Sequence, residues 1–312
     1  MRPLVLSSIM LSAAFVVGCG VDNIQAPSPS VRPPLLARGE SRAEGAFDFT
    51  TIDVPGAVVT SASGINARGD IVGNFTDATG THGFLLRDGE FTTIDFPASV
   101  ASDARGISPD GDIVGTYRLA GQTGQIHGYV RTKDGAFVAV NSAGHINTIA
   151  QRILADGTIL GCRHDNTMGS MNGIMVSREG YSETEAFASM HNGATPDRRH
   201  IVGLYTNMVA GNRGEGYRID DGVFTALLVP NSTFTAAWDI NPAGQIVGVY
   251  RNATGPHGFV LTDEGYVPID FPGATVTRAF GINARGDVVG NYIAAGKTHG
   301  YLARPVTREN ER

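Results

Sequence analysis

Six times along this chain a short apolar run ends in glycine, at Gly73, Gly115, Gly161, Gly203, Gly248 and Gly290, within runs such as GDIVGTY from Gly111 and GQIVGVY from Gly244. The intervals are 42, 46, 42, 45 and 42 residues. Two distant copies share the seven-residue run GINARGD, from Gly64 and from Gly281. Internal duplication at this period restricts the chain to stacked supersecondary units, and a unit of about 40 residues is the size of a propeller blade.

The residues from Ala62 to Pro97 divide into four β-prone runs, ASGIN, DIVGNFTD, HGFLLRDG and EFTTIDFP, separated by turn residues, with Asp88-Gly89 as a hairpin signal. The 41 glycines suit short strands and tight turns, and no long amphipathic helical pattern follows the first residues. The expected fold is therefore all-β, a six-bladed β-propeller of four-stranded blades. The sixth unit stops at NYIAAGKTHGYLARP and lacks a fourth strand, whereas FTTIDVPGA at Phe49–Ala57 precedes the first complete unit. That fragment is the missing strand. Pairing it beside His299–Ala303 makes the N-terminal strand the closure of the ring. An open solenoid is the competing geometry, and it needs capping ends that the sequence does not obviously supply.

The first 20 residues, MRPLVLSSIMLSAAFVVGCG, carry Arg2 and then an apolar run from Leu4 to Val17, short for a membrane span and matched to an export signal. Its end, VVGC, resembles the bacterial lipobox, which implies a signal peptide over 1–18 and lipid modification of Cys19. Residues 19–46 are rich in Pro, Ser and charge and read as a disordered tether. The propeller is expected over 47–304 and a C-terminal tail over 305–312. Gly20 and Val21, with no Asp directly after the cysteine, favour the outer membrane as the destination. Processing leaves Cys162 as the sole unmodified cysteine, so no disulfide framework holds the fold. A formal net charge of -6 without a basic run argues against nucleic acid as partner.

The repeat residues resemble the HAF-repeat, or probable extracellular repeat, proteins of bacteria. The likeness is close over Ile52–Phe84 and Ile269–Tyr301, looser in the second and fifth units, and weakest over 144–188 and 189–229. It spans about 47–302 and implies export and a propeller-like fold. It implies no established activity and transfers no catalytic residue.

Residues that recur in every unit serve the scaffold before they serve chemistry. His82, His127, His257 and His299 fall in the third strands of four different units, too far apart to ligate one ion. Asp53, Asp95 and Asp270, and the hydroxyls of Thr60, Ser102, Thr235 and Thr277, are expected to fix turns. Candidate ligand-binding residues lie instead in loops that differ between units: His145, Asn147, His164, His191, Asn192, Phe234 and Trp238. Phe234 and Trp238, the only tryptophan, offer an aromatic platform, against core packing for Trp238. The third and fourth units also hold Cys162, His164, Met168, Met171 and Met175, ligand types that suit Cu(I), although methionine equally fills irregular cores.

No G-x-S-x-G, H-E-x-x-H or phosphate-loop motif is present, and no cofactor is expected. The reading is a lipid-anchored, non-catalytic recognition or scaffolding module of the bacterial cell envelope, with an envelope protein or glycan as partner and the upper loops of the divergent units as contact surface. The alternatives are a Cu(I)-binding envelope protein and a hydrolase or lyase with a site across the propeller channel.

Overall fold

A computed structural model describes residues 47–165, 170–184, 188–208 and 210–306. Residues 1–46, expected to hold the signal peptide, Cys19 and the tether, together with Met168 and the end of the expected tail, lie outside the described residues. Each complete repeat folds as the sequence predicts. In the first unit, β2 (Val59–Ile65), β3 (Ile71–Thr76), β4 (Thr81–Arg87) and β5 (Glu90–Ile94) form consecutive antiparallel hairpins. The next four units, over 99–140, 147–183, 189–227 and 234–269, are separate four-stranded sheets. The last unit supplies β22 (Val276–Ile282), β23 (Val288–Ala294) and β24 (Lys297–Pro305).

The early fragment is β1 (Phe47–Ile52), antiparallel to β24 from Phe47 opposite Pro305 to Ile52 opposite Gly300. The repeat count predicts six separate sheets, but only four stand alone. The other eight strands form one sheet, because β2 and β24 meet in a single parallel bridge, Val59 opposite Thr298.

The periodic glycine has a packing cause. Gly73 sits opposite Phe84, and a Cβ there would collide with the Ser61 carbonyl and the Phe84 ring. The same constraint holds at Gly290, opposite Tyr301 and under the Arg278 carbonyl. The glycine thus makes room for a fully buried side chain on the third strand: Phe84, Tyr129, Ile174, Tyr217, Phe259 and Tyr301 in turn. Burying each such side chain contributes roughly 1.5–3 kcal/mol.

The recurrent polar residues stitch strands and neighbouring units together. His82 Nδ1 meets Asp95 Oδ2 at 2.8 Å, His257 meets Asp270 at 3.0 Å, and His299 meets Asp53 at 2.9 Å, the last tying β24 to the chain beyond β1. The expected turn role of these aspartates is thus a side-chain pairing between the third strand and the end of the fourth. Thr60, Ser102, Thr235 and Thr277 accept from backbone N–H groups six residues earlier, as loop fixers. Asn241 Nδ2 donates to the Asn283 carbonyl, Asn283 to that of Asn66, and Asn66 to that of Ser108.

First strands of successive units lie against one another, and each carries a β-bulge. In β2 the register shifts between Ala62 and Gly64. Equivalent shifts fall in β6 (Ser99–Ile107), β10 (Asn147–Ile153), β14 (Ser189–Ala194), β18 (Phe234–Ile240) and β22. A bulge leaves one residue unpaired and re-aims its side chain. The six residues so presented are Ser63, Arg105, Gln151, Asn192, Trp238 and Phe280, and no two are alike.

Candidate functional site

The residue after each bulge is of two kinds. In four units it is glycine: Gly64, Gly106, Gly193 and Gly281. At Gly64 a Cβ would stand 2.8 Å from the Arg105 carbonyl, so the first strands approach too closely for a side chain there. In the third and fifth units the residue is Arg152 and Asp239. Both are buried, and Arg152 Nε stands 3.2 Å from Asp239 Oδ2. The Arg152 guanidinium donates to the Arg105 carbonyl at 2.6 Å, the Gln151 carbonyl at 3.1 Å, the Ser63 carbonyl at 3.1 Å and the Phe280 carbonyl. Asp239 accepts from the backbone N–H groups of Ile240, at 3.0 Å, and Ile282, at 3.2 Å. Burial nevertheless raises the Asp239 pKa above the ordinary carboxylate value, against the pull of Arg152. This ion pair, the stopper, ties together strands of five units.

Above the stopper lies a cavity of about 390 Å³. Five of the six bulge residues line it, Ser63, Arg105, Gln151, Trp238 and Phe280, and Phe234, Asp103, Arg251 and Arg278 are among the other residues of the wall. Trp238 and Phe280 meet edge to face at 5.3 Å between ring centroids, an arrangement that fixes both planes. Asp103 is committed: its Oδ2 holds Arg105 at 2.8 Å, and its Oδ1 accepts from the Thr116 N–H and hydroxyl. Arg105 Nη1 also donates to Gln151 Oε1 at 3.1 Å. A smaller cavity of about 150 Å³ lies on the opposite side of Arg152 and Asp239, among the GIN turns.

The sequence-based candidates divide between these places. Phe234 and Trp238 line the large cavity. Asn192 is the sixth bulge residue but is fully buried, its Nδ2 donating to the Ala237 carbonyl at 2.8 Å. His191 is buried beside it, bonded to Tyr217 and Thr184, and burial pulls its pKa down to about 4. His145, Asn147 and His164 gather at Asp165 instead. His145 Nδ1 stands 3.3 Å from Asp165 Oδ1, while Asn147 Nδ2 and His164 Nδ1 both reach the Asp165 carbonyl, at 3.3 and 2.9 Å. These three hold a loop together and do not line the cavity.

The soft-metal candidates are partly dispersed. Cys162 packs with Met171, Met190 and Ile149, and burial pushes its thiol up to about 12, away from the thiolate that a metal needs. Met175 belongs to a different apolar cluster, with Leu160 and Tyr205, and His164 turns to the Asp165 carbonyl. Arg105, Gln151, Arg251, Arg278 and Phe280 escaped the sequence reading. For Arg105, Gln151 and Phe280 a signal was available: the position before the glycine of GIN, or before its counterparts Arg152 and Asp239, changes in every unit, whereas Arg251 and Arg278 lie outside that position.

No protein-family model matches the chain, and no curated protein matches it. Solved structures do. TolB from Acinetobacter baumannii aligns with a TM-score of 0.51 and 14% identity, over 74% of this chain and 63% of that one. A structure from Agrobacterium tumefaciens described as TolB aligns at 0.54 and 12% identity, over 80% of this chain and 91% of that one. The β-propeller domain of the Trilobed protease of Pyrococcus furiosus aligns at 0.46 and 13%, over 81% and 84%. The chain is an all-β propeller. At these identities the likeness speaks for the fold alone, and the four-stranded sheets are its blades.

Proposed function

We propose that this protein is an exported, lipid-anchored propeller that acts as a non-catalytic recognition module at the bacterial cell envelope, taking its ligand in the cavity above Arg152. One observation carries the reading: the cavity is walled by the positions at which an otherwise repetitive scaffold differs from blade to blade. A volume near 390 Å³ with aromatic rings and a few polar groups has the dimensions of a small-ligand site. Recognition is favoured over hydrolysis or lyase chemistry by the cavity's titratable groups. They are arginines and one carboxylate already engaged three ways, so no general base stands ready.

The eight-stranded sheet is read as two blades, giving six in a closed ring. In support, β22 contacts β2 as β2 contacts β6, and Asn283 bonds Asn66 across the junction at 3.2 Å. The pairing of β1 with β24 supplies the fourth strand of the last blade. Lipid attachment at Cys19, with anchoring at the outer membrane, rests on the VVGC run. An acylated N-terminal Cys19 in the mass spectrum of the mature protein is the expected result.

Thermal unfolding against cell-wall fragments and glycans tests the recognition reading. A ligand present at about 100 times its Kd stabilises by roughly 2.7 kcal/mol. The shift is expected to vanish in Trp238→Ala. A ligand that stabilises this variant as fully as the parent places binding elsewhere and refutes the cavity assignment.

A further inference from the structure

The charges in the cavity do not balance. Arg105, Arg251 and Arg278 face one carboxylate, Asp103, which leaves a net charge of +2 on a protein whose formal charge is -6. Asp103 is spent on Arg105. Among the described residues, Arg278, half-buried on β22 two residues before the bulge, has one side-chain partner, the amide oxygen of Asn291, 3.2 Å from its Nη1. Arg251 stands exposed at the rim, opposite Phe234 in the strand pairing, and makes no ion pair among the described residues. Ten other arginines form ion pairs among the described residues, such as Arg68 with Asp70 and Arg285 with Asp287. Leaving Arg278 half-buried without a counter-charge costs stability. Burial first, and the Arg251 charge second, lower its pKa. An arrangement of this kind is relieved by an anion placed between the two guanidiniums, which are shaped to grip a carboxylate with paired N–H donors.

The rest of the wall states what carries the anion. Trp238, edge to face with Phe280, offers its indole face, and Phe234 adds apolar surface, while Ser61, Ser63, Asn74 and Gln151 bring hydroxyl and amide groups to the same cavity. An indole face in a cavity that also holds short polar groups suits a sugar ring, whose C–H face stacks on the indole while its hydroxyls exchange hydrogen bonds. We propose that the ligand is an acidic saccharide, its carboxylate held by Arg278 and Arg251 and its ring laid against Trp238. This rests on the recognition reading above and deepens it.

Calorimetric titration of the protein with cellobiouronic acid and digalacturonic acid, each beside its neutral counterpart, tests the assignment, with an acidic peptide as a further probe. At least one acidic sugar is expected to bind about 10–100-fold more tightly than its neutral form, the range of a charge-assisted hydrogen bond. That advantage should disappear in Arg278→Gln, fall in Arg251→Gln, and shrink as salt rises from about 0.02 to about 0.5 M. Unchanged melting of both variants shows that the loss is not unfolding. Neutral sugars binding as tightly as acidic ones, or an acidic preference that survives both substitutions, overturns the proposal and leaves the recognition reading standing. Binding of the acidic peptide with neither uronate bound also overturns it. Silence of every probe toward a correctly folded protein counts against both.

Discussion

Replacing Arg152 with Met removes the guanidinium while keeping a side chain of similar length. The change strips four backbone carbonyls, on Arg105, Gln151, Ser63 and Phe280, of a charged donor and leaves Asp239 buried without its partner. Breaking a buried pair from one side costs about 3–5 kcal/mol. For a domain of this size each kcal/mol lowers the melting temperature by about 2–4 °C, so the variant should melt about 6–20 °C below the parent. The cost has a pH signature. Asp239 already has a raised pKa in the folded state, and losing Arg152 raises it further above the unfolded value of about 3.9. A carboxyl whose folded pKa exceeds its unfolded one binds its proton more tightly in the native protein. The penalty is therefore full at neutral pH and diminishes as pH falls through that raised pKa. Urea unfolding of both proteins at pH 7.5 and pH 5 should show the difference between them narrowing in acid. A difference below about 1 kcal/mol, or one that does not change with pH, refutes the stopper as an energetic element.

Three further outcomes are expected. His191 has a folded pKa near 4 against about 6.5 unfolded, so the parent should lose about 3 kcal/mol as pH falls from 6.5 to 4. His191→Gln should flatten that part of the stability-pH curve, and an unchanged slope would contradict the assignment. Cys162, with its thiol held near 12, should resist iodoacetamide at pH 8 in the native protein and react on unfolding; rapid native labelling would contradict its burial. Deleting residues 47–57 exposes the β24 edge and removes the Asp53 partner of His299, so it should abolish cooperative melting. Parent-like melting of the deletion would argue for an open arrangement.

Much of the scaffold was legible because repetition reports packing. The glycines at Gly73 and Gly290 recur because a backbone carbonyl crowds the same spot in each unit, joined by a buried ring in five of the six, and the leading FTTIDVPGA reads as a strand lacking its neighbours. The site was legible only in part, because function here uses positions that break the repeat. Trp238 drew notice as a rare residue, whereas Gln151 and Phe280 are ordinary residues whose meaning lies in sharing its bulge. The stopper had a signal as well: where other units place the glycine of GIN, the third and fifth carry opposite charges, Arg152 and Asp239. That these two meet depends on how distant units pack together, which no single repeat contains. The loop candidates of the third and fourth units lie apart from the large cavity. Their His145, Asn147 and His164 satisfy one another around Asp165.

The most direct test of the central claim uses the protein's only tryptophan. Because Trp238 lines the cavity, its emission reports on occupancy there. Titration with a ligand that binds by calorimetry should shift or quench that emission saturably, with the calorimetric Kd, and should shield the indole from acrylamide. Calorimetric saturation with the emission and the acrylamide quenching unchanged would place the ligand outside the cavity and contradict the account.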